Sequence, residues 1–414
     1  MIISKHWLNE WVDLSEVSGE TLSKTLNSIG LEVDSYKEIN LPKSIVVGYV
    51  KSREKHPDAD KLSVCQVDVG SETLQIVCGA KNVEAGQFVP VALIGTTMPN
   101  GLEIKKAKLR GVESCGMICS STELGLPKTN DGILPLDESI GKLKLGTSLG
   151  EFEAFKDVII EVDVTANRGD CQNLHGIARE ICTALDLNMK DSHENEDSEN
   201  LLGIGRIASV RTEDKVNGSF LYKAFELKNA LSENLLTRLR LALIDCQKTN
   251  LVERLLEYAT FCTGVLFRAY DHAALANDSE KIIFDIKNGE NGECVVCCGD
   301  KNLGAAGIYQ SDEARLNEGS KVIVVEASYV KPDVVSKAIF ENKNLPKGDQ
   351  VYRSSRGSEP NLAYGADYLF KRLAGFKDSL SLFAGSQQSL LNTEPITLSI
   401  SIGELKNMIG QEVA

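Results

Sequence analysis

The spacing of apolar residues predicts a helical segment close to the N-terminus. Apolar side chains recur at helical spacing between Ser18, a residue suited to cap a helix, and Gly30, a residue suited to end one. Trp7 and Trp11 lie four residues apart, which places them on one face of a helix. The pattern therefore predicts a small helical element with both tryptophans in the core.

The pattern changes after residue 40, where short β-rich runs alternate with Gly, Pro and Asn. The runs are IVVGYV, LSVCQVDVG, TLQIVCGA, FVPVALIG, IKKAKLRGV and GMICSS. Five or six short strands at close spacing are typical of a small closed barrel. We assign this barrel to residues 41–150.

Residues 157–188 read as a strand, a turn at Asn167–Gly169 and a helix that Asp170 would cap. We expect residues 151–190 to join residues 1–40 in one α/β element, so that the barrel is an insertion into it. Residues 191–205 are acidic and polar and are predicted to be a linker.

Helical and strand patterns alternate over residues 206–390, which predicts a mixed α/β domain. Ser232 is expected to cap one helix. A later helix is expected to follow Ser358, to carry Pro360 in its first turn and to end at Gly375. Residues 395–414 read as the start of a further module, and the predicted fold class is α+β with several domains.

Composition narrows the class of protein. The chain has 414 residues and a formal net charge of −14, with ordinary hydrophobic and charged fractions of 42% and 25%. This length predicts two to four domains. No apolar run is long enough to cross a bilayer, and the N-terminus lacks a signal-peptide pattern. We expect a cytoplasmic protein, in which the eleven cysteines are reduced. The chain lacks the two paired CxxC motifs that are typical of a structural zinc site.

The stretch HPDADKLSVCQVDVG, residues 56–70, has the residue types of a metal site. A strand would point Cys65 and Asp68 to opposite faces, however, and a mixed Cys/Asp/His set matches no common ligand preference. The alternative is a polar turn that leads into a barrel strand. We favour this hairpin interpretation and predict no metal.

Residues 45–126 contain nine basic and nine acidic side chains, so they are neutral within an acidic chain. Lys106, Lys108 and Arg110 alternate, and a strand would place them on one face that could contact phosphates. Lys61 in the turn is a further candidate. A solvated basic edge strand that discourages aggregation is an equally good reading of the same residues.

Three segments of the barrel region resemble a known family in order. These are the HPDADKL turn, the CGAKN loop and the LRGVESCGMICS strand, which resemble the tRNA-binding OB-fold domain shared by several aminoacyl-tRNA synthetase components. The flanking runs ISKHWLNEWVDL and TANRGDCQNLHGIARE resemble the beta subunit of bacterial phenylalanine–tRNA ligases. Residues 206–390 are similar in order to the editing module of that subunit, and the resemblance covers essentially the whole chain.

The resemblance implies a part in the ATP-dependent attachment of phenylalanine to tRNA(Phe). It implies an alpha subunit as partner, which carries the synthetic site, in a heterotetramer of two alpha and two beta subunits. ATP and Mg²⁺ are expected for the complete enzyme and no cofactor for this part. Family members are longer, so we expect an N-terminal portion. The chain has no P-loop, HIGH or KMSKS motif. GIGRIA at residues 203–208 is a poor match to the GxGxxG dinucleotide-binding motif, because it follows a linker instead of a strand.

The resemblance also assigns candidate residues to an editing pocket that hydrolyses tyrosine mischarged on tRNA(Phe). Glu326 matches the family glutamate that faces the tyrosine hydroxyl, and Gly307 matches a glycine that lets backbone approach the substrate. Arg268 stands where the family carries a histidine, and Gln350 where it carries an alanine. Glu326 could instead be a strand-end carboxylate paired with a nearby cation. Whether editing is active is left open.

Two other classes of protein compete with the ligase subunit. One is a non-catalytic tRNA-binding accessory protein built on the same barrel. The other is a free-standing hydrolase of mischarged tRNA, which the missing histidine argues against. The flanking helical element and the TANRGD strand favour the ligase subunit.

Overall fold

The computed structural model describes residues 1–190, 202–276, 281–376, 378–391 and 397–410. Within these ranges the fold is mixed α+β, as predicted. Its strands are β1 (Ile2–Ser4), β2 (Glu32–Asn40), β3 (Ile45–Lys55), β4 (Ser63–Asp68), β5 (Thr73–Cys78), β6 (Phe88–Ala92), β7 (Ala107–Leu109), β8 (Val112–Ser114), β9 (Met117–Ile118), β10 (Lys156–Asp163), β11 (Ala208–Thr212), β12 (Gly218–Leu227), β13 (Leu266–Asp271), β14 (Ile282–Asn288), β15 (Cys294–Cys298), β16 (Lys301–Ala305), β17 (Tyr309–Gln310), β18 (Val322–Val330), β19 (Leu380–Leu382) and β20 (Gln387–Ser389).

The helices are shorter and connect or cover the sheets. They are α1 (Lys5–Leu8), α2 (Gly19–Ser28), α3 (Leu174–Leu185), α4 (Leu235–Leu243), α5 (Leu251–Thr263), α6 (His272–Ala276), α7 (Pro332–Glu341), α8 (Val351–Ser354), α9 (Leu362–Ala374) and α10 (Ile402–Ile409). No helix in the described ranges is both long enough and apolar enough to cross a membrane.

The N-terminal element is a three-stranded antiparallel sheet in the order β1-β10-β2. Strand β10 lies between β1 and β2 and pairs with both, although the barrel strands separate it from them in sequence. Ser18 caps α2 by accepting a hydrogen bond from the Thr21 amide, and Gly30 follows the helix with φ of 84°, both as predicted. Asp170 was wrong as the cap of α3: Asn173 accepts from the Gly176 amide instead.

The barrel region forms a five-stranded, nearly closed sheet in the order β5-β4-β3-β6-β9. Strand β4 alternates as its sequence predicts, because Cys65 and Val67 are buried while Val64 and Gln66 are only partly so. The short hairpin β7–β8 stands apart from the main sheet order. The barrel-like sheet predicted for this region is therefore confirmed.

The strands from β11 to β20 form two sheets. One has the order β11-β14-β15-β16-β17, and the other has the order β13-β18-β12-β19, with β20 also paired to β12. Helices α5 and α9 pack against the second sheet through a continuous apolar cluster. Strand β18 is central in that sheet and is buried along nearly its whole length.

Two helix starts in this region differ from the prediction, and one helix was not predicted. Asn234, and not Ser232, caps α4 because it precedes the first helical residue and accepts from the Thr237 amide. Pro360 lies before α9, whose cap is Asn361, although the helix does end at Gly375. Helix α5 was not predicted at all; Asn250 caps it by accepting from two backbone amides.

The predicted linker and tail lie partly outside the described residues, which omit 191–201, 392–396 and 411–414. The end of the linker, residues 202–205, is attached to the second domain because the Ile204 amide bonds to the Ala384 carbonyl. In the tail, Ser401 and Glu404 form a capping box for α10, and residues 397–400 form no strand.

The N-terminal element and the second domain share one apolar core. The ring of Trp7 stacks on Phe261 of α5 at 5.0 Å between centroids, and Trp11 stacks on Tyr368 of α9 at 5.8 Å. Both tryptophans are buried, as predicted, but against partners distant in sequence. The boundary between the two regions is therefore a packed interface.

Candidate functional site

His56 fixes the turn that opens β4. Its Nδ1 accepts a hydrogen bond from the Asp58 amide at 3.1 Å, and its Nε2 lies 3.0 Å from the Leu109 carbonyl oxygen, to which it donates. Both ring nitrogens are thus engaged with backbone atoms, which leaves neither free as a metal ligand. The turn holds the β7–β8 hairpin in place, in agreement with the hairpin interpretation.

The basic candidates of the barrel lie on this turn and hairpin. Lys61, Lys106, Lys108 and Arg110 are all exposed. The Lys106 ammonium pairs with Glu113 at 3.0 Å, whereas the other three make no side-chain hydrogen bond or ion pair among the described residues. The His56–Leu109 bond brings the hairpin beside the turn that carries Lys61.

The prediction that one strand aligns all three cations was wrong, because Lys106 precedes β7 and Arg110 follows it, which leaves only Lys108 in the strand. Strand β7 ends at Leu109, and Arg110 with Gly111 forms the two-residue turn, at φ of 46° and 90°. Two consecutive positive φ values are typical of the tight turn whose twist matches a hairpin. Arg110 therefore projects from the tip, and Lys108 from the strand.

A second candidate site is a cavity of about 80 Å³ between α5 and the sheet that contains β13. Its lining mixes cations, carboxylates, apolar side chains and backbone. The lining residues are Lys248, Glu253, Leu256, Glu257, Thr260, Phe267, Arg268, Ala269, Ile308, Tyr309, Gln310, Arg315, Gly348, Asp349, Gln350 and Arg353.

Glu326 lies behind this cavity, fully buried in the middle of β18. Its Oε1 accepts from Arg268 Nε at 2.9 Å and from Nη2 at 2.6 Å. Its Oε2 accepts from the hydroxyls of Tyr222 at 2.9 Å and Tyr270 at 3.0 Å. Four donors therefore occupy the lone pairs of one carboxylate, which is the full capacity of an ionised carboxyl group.

Strand register explains why these four side chains meet. Tyr222 on β12 and Arg268 on β13 lie directly opposite Glu326 on either side of β18. Tyr270 follows Arg268 by two residues and so lies on the same face of β13. The sequence shows that Arg268 and Tyr270 are two residues apart and so share a strand face. Only the strand register shows that Tyr222 lies beside them.

The surroundings of this buried quartet raise the pKa of Arg268 and of both tyrosines. Burial opposes the charge on Arg268, yet the Glu326 carboxylate raises the pKa of the guanidinium above its usual value. Burial, followed by the charges around them, raises the pKa of the Tyr222 and Tyr270 hydroxyls. Both tyrosines therefore stay protonated and act as donors to Glu326.

The two remaining pocket candidates lie at its rim. Gly307 has φ of 69° in the turn after β16, and its carbonyl accepts from Ser354 Oγ at 2.5 Å. A Cβ at Gly307 would meet Ser354 Cβ at 2.9 Å, so a side chain does not fit without a shift. Gln350 Nε2 donates to the Phe267 carbonyl at 2.6 Å. Arg268, Gln350 and the backbone beside Gly307 thus border one cavity.

One cluster of metal-ligand residue types lies outside these sites, among the residues that the structure describes. Asp170, Cys171 and Glu180 present ligand atoms within 4.8 Å of one another. Arg168 Nη2 lies 2.9 Å from all three groups. A guanidinium in that position takes the place of a cation, and a thiol is a poor ligand for Mg²⁺. The cluster does not fit magnesium.

All eleven cysteines are free. Burial raises the pKa of the Cys65 thiol to about 11 and of the Cys119 thiol to about 12. A raised thiol pKa disfavours the nucleophilic, metal-binding thiolate, so these two side chains act as small apolar residues.

Comparison with known proteins agrees with the barrel. Residues 45–144 match the family model described as "Putative tRNA binding domain". The match covers β3 to β9 and extends beyond them, and so includes both the His56 turn and the β7–β8 hairpin.

Curated relatives match the chain from end to end. A protein of Campylobacter jejuni (strain RM1221) named phenylalanine–tRNA ligase beta subunit is 50% identical over 413 residues, which is 100% of this chain and 53% of that protein. The chain is homologous over its full length to phenylalanine–tRNA ligase beta subunits. The subunit of Sulfurimonas denitrificans is 43% identical, again over 100% of this chain and 53% of its own length. The chain thus spans about half the length of these ligase subunits.

Among solved structures, the chain matches an N-terminal fragment of the phenylalanyl-tRNA synthetase beta-subunit from Pyrococcus horikoshii. The identity is 12%, and the TM-score is 0.26 over 62% of this chain and 74% of that fragment. A similarity of this size carries no structural argument. The resemblance found in the sequence is confirmed by the curated relatives alone.

Proposed function

We propose that this chain is the N-terminal part of a phenylalanine–tRNA ligase beta subunit. In this role it binds tRNA(Phe) while an alpha subunit attaches phenylalanine with ATP and Mg²⁺, in a cytoplasmic heterotetramer of two subunits of each kind. The observation that carries the proposal is 50% identity along the whole chain to a protein with that name. Among the described residues, the cluster of Asp170, Cys171 and Glu180 does not fit magnesium, because Arg168 already occupies the place of a cation. The proposal therefore assigns ATP and Mg²⁺ to the complete enzyme.

In this proposal the exposed cations of the turn and hairpin contact the tRNA backbone. Lys61, Lys108 and Arg110 are exposed and have no partner among the described residues, so phosphates would not have to displace an existing ion pair. Lys106 is a weaker contributor because Glu113 already neutralises it. Contacts of this kind position an RNA without reading its sequence.

The test is co-purification of the full-length beta subunit with the alpha subunit of the same organism. Stable association, together with binding of tRNA(Phe) by the complex, is the expected result. A beta subunit that binds tRNA but never associates with an alpha subunit would point to the accessory tRNA-binding protein instead. A subunit that binds neither would contradict both functions.

We further propose that the editing-type domain of this chain does not read a tyrosine hydroxyl through Glu326. A pocket must offer a polar acceptor to distinguish tyrosine from phenylalanine, since apolar pockets reject an added hydroxyl poorly. The four donors to Glu326 leave no acceptor for a substrate hydroxyl, and Arg268 separates the carboxylate from the cavity. This arrangement supports the proposal that the domain keeps its fold but no longer recognises the tyrosine hydroxyl through Glu326.

Hydrolysis of tyrosyl-tRNA(Phe) by the two-subunit enzyme tests this second proposal. We expect the wild-type enzyme to hydrolyse it no faster than buffer does. The Arg268→His variant, which removes two donors from Oε1, is expected to gain activity. Rapid hydrolysis by the wild-type enzyme that disappears in the Glu326→Ala variant would show that Glu326 is still the tyrosine reader.

A further inference from the structure

The β7–β8 hairpin is anchored to β5 at its base. Ser114 Oγ accepts a hydrogen bond from the Val77 amide at 3.0 Å. Gln75 adds two more bonds, because its side-chain amide donates to the Glu113 carbonyl at 2.8 Å and its backbone carbonyl accepts from the Cys115 amide at 2.8 Å. These bonds fix the base of the hairpin, where β8 packs against β5.

The other end of this hairpin, residues 108–111, is its tip. Among the described residues, the tip makes one hydrogen bond outside the hairpin, from His56 Nε2 to the Leu109 carbonyl at 3.0 Å. Strands β7 and β8 form a two-stranded sheet of their own, and a two-stranded hairpin is marginally stable in water. The position of the tip therefore depends on His56.

His56 belongs to the turn that precedes β4. Its backbone amide donates to the Leu62 carbonyl at 3.1 Å, which closes this turn. Its Nδ1 accepts from the Asp58 amide, so the ring proton lies on Nε2 and is donated to the Leu109 carbonyl. The residue is only 5% exposed, so a buried ring joins the turn to the hairpin tip.

Exposed cations lie on both sides of this buried ring. Lys61 is in the turn, and Lys108 and Arg110 are at the tip, on either side of the residue that bonds to His56. Once one cation holds a phosphate, a second cation at a matching spacing meets the next phosphate at a high effective concentration. A tip that moved freely would have to be ordered on binding, which reduces affinity. The spacing that His56 sets therefore affects the strength of phosphate binding.

We propose that His56 is a positioning residue for tRNA binding. It holds the two cations of the tip at the distance from Lys61 that lets all three cations meet phosphates of the tRNA backbone. His56 does not itself contact the RNA, because its side chain is buried and both ring nitrogens are engaged. This inference rests on the proposed function, because it takes tRNA as the ligand.

Two substitutions of His56 separate the two hydrogen bonds of its ring. A glutamine places an amide donor near the position of Nε2, whereas the shorter asparagine reaches only the position of Nδ1. In the complete two-subunit enzyme, we expect His56→Gln to keep the affinity for tRNA(Phe). We expect His56→Asn to weaken it about tenfold and to lower the slope of log affinity against log salt by about 1.4 to 1.8, the range for two lost phosphate contacts.

Hydrogen exchange tests the hold on the tip in the absence of tRNA. In the His56→Asn enzyme, the amides of residues 107–114 should exchange faster, while those of β3 and β4 keep their protection. Unchanged exchange over residues 107–114 would overturn the inference, because the tip would then not depend on His56. Loss of protection in β3 and β4 with both substitutions would also overturn it, because His56 would then support the barrel as a whole.

Removal of the tip cations gives a test that a purely structural role would not pass. In an enzyme that carries Lys108→Ala and Arg110→Ala, the further change His56→Asn should weaken tRNA binding no more, since no cation is left to position. In the matched control background, Lys287→Ala with Lys321→Ala at two exposed lysines outside the barrel, His56→Asn should have its full effect. Equal effects of His56→Asn in both backgrounds would overturn the inference.

The outcomes separate the inference from the function on which it rests. Wild-type affinity and salt dependence in the His56→Asn enzyme would overturn the positioning role alone. Failure of the wild-type complex to bind tRNA(Phe) would contradict the proposed function itself, whatever hydrogen exchange shows for the hairpin tip.

Discussion

At the scale of single residues, the buried pair of Arg268 and Glu326 dominates the second domain. Two ions are taken fully out of water, and the arrangement is tolerable because every carboxylate lone pair has a donor. The sequence singled out both positions, and the structure pairs their side chains, as in the alternative of a carboxylate with a nearby cation. Glu326 lies in mid-strand, however, and not at a strand end.

We predict that breaking this pair from either side strongly destabilises the protein. Glu326→Leu or Arg268→Met leaves one buried charge without its partner and should lower the free energy of unfolding by about 3–5 kcal/mol. The double variant should cost less than the sum of the two single variants, because it removes both charges. Urea unfolding of all three proteins, with Lys287→Met as an exposed control, measures this coupling; strict additivity would refute it.

His175 gives a residue-scale prediction for pH. Burial, with Arg179 adding to it, lowers the pKa of this imidazole to about 4. Its Nδ1 is buried without a partner among the described residues, and the ring packs on Tyr364 at 4.5 Å. The folded state therefore keeps His175 neutral, whereas the unfolded chain takes up a proton near pH 6.5.

Stability attributable to His175 should therefore be present above pH 6.5 and be lost as the pH falls towards 4, because the unfolded state binds the extra proton. Unfolding by urea between pH 7 and 4.5 measures the loss. The His175→Gln variant, which cannot titrate, should show a flatter profile. Parallel profiles for the two proteins would rule out His175 as the source.

At the scale of secondary-structure elements, Glu10 joins the N-terminal element to the second domain. Its two carboxylate oxygens pair with Arg240 of α4 and, at 3.1 Å, with Arg372 of α9. Arg240 also donates to the Tyr258 hydroxyl at 2.7 Å. One carboxylate thus fixes α4 and α9 beside the loop that follows α1.

Glu10→Gln should lower the free energy of unfolding by about 1.5–3 kcal/mol, the range for hydrogen bonds to charged groups, since Glu10 is only partly buried. The two regions should still unfold in one transition because their apolar core is shared. Tryptophan fluorescence follows this directly, as Trp7 and Trp11 both lie at the interface. Two separate transitions in the wild-type protein would contradict a common core.

Local signals in the sequence were enough for several elements but not for their contacts. Ser18 and Gly30 bound α2 as predicted, and alternation located β4, because both depend on near neighbours. The failures at Asp170 and Ser232 have one cause, because an asparagine a few positions away forms the cap instead. Arg110 fails for another reason, because the strand ends before it and Arg110 forms the hairpin turn with Gly111. The partners of Glu10 and Glu326 lie up to several hundred residues away, and no local pattern encodes them.

At the scale of the whole molecule, the chain combines an exposed basic hairpin with a domain in which the carboxylate of Glu326 is buried and fully hydrogen-bonded. The barrel matches a tRNA-binding family model, and the relatives that match the entire chain are ligase beta subunits about twice as long. We therefore propose that this chain contributes the tRNA contact and not tyrosine recognition by Glu326.

The most direct test is attachment of phenylalanine to tRNA(Phe) by the full-length beta subunit together with its alpha subunit. We expect ATP-dependent charging that needs both subunits. We also expect Lys61→Glu, Lys108→Glu and Arg110→Glu together to raise KM for tRNA(Phe) while KM for phenylalanine stays constant, since in the proposed function these cations contact only the RNA backbone. No charging by the assembled wild-type pair, or an unchanged KM for tRNA(Phe) in the triple variant at low salt, would contradict the proposed function.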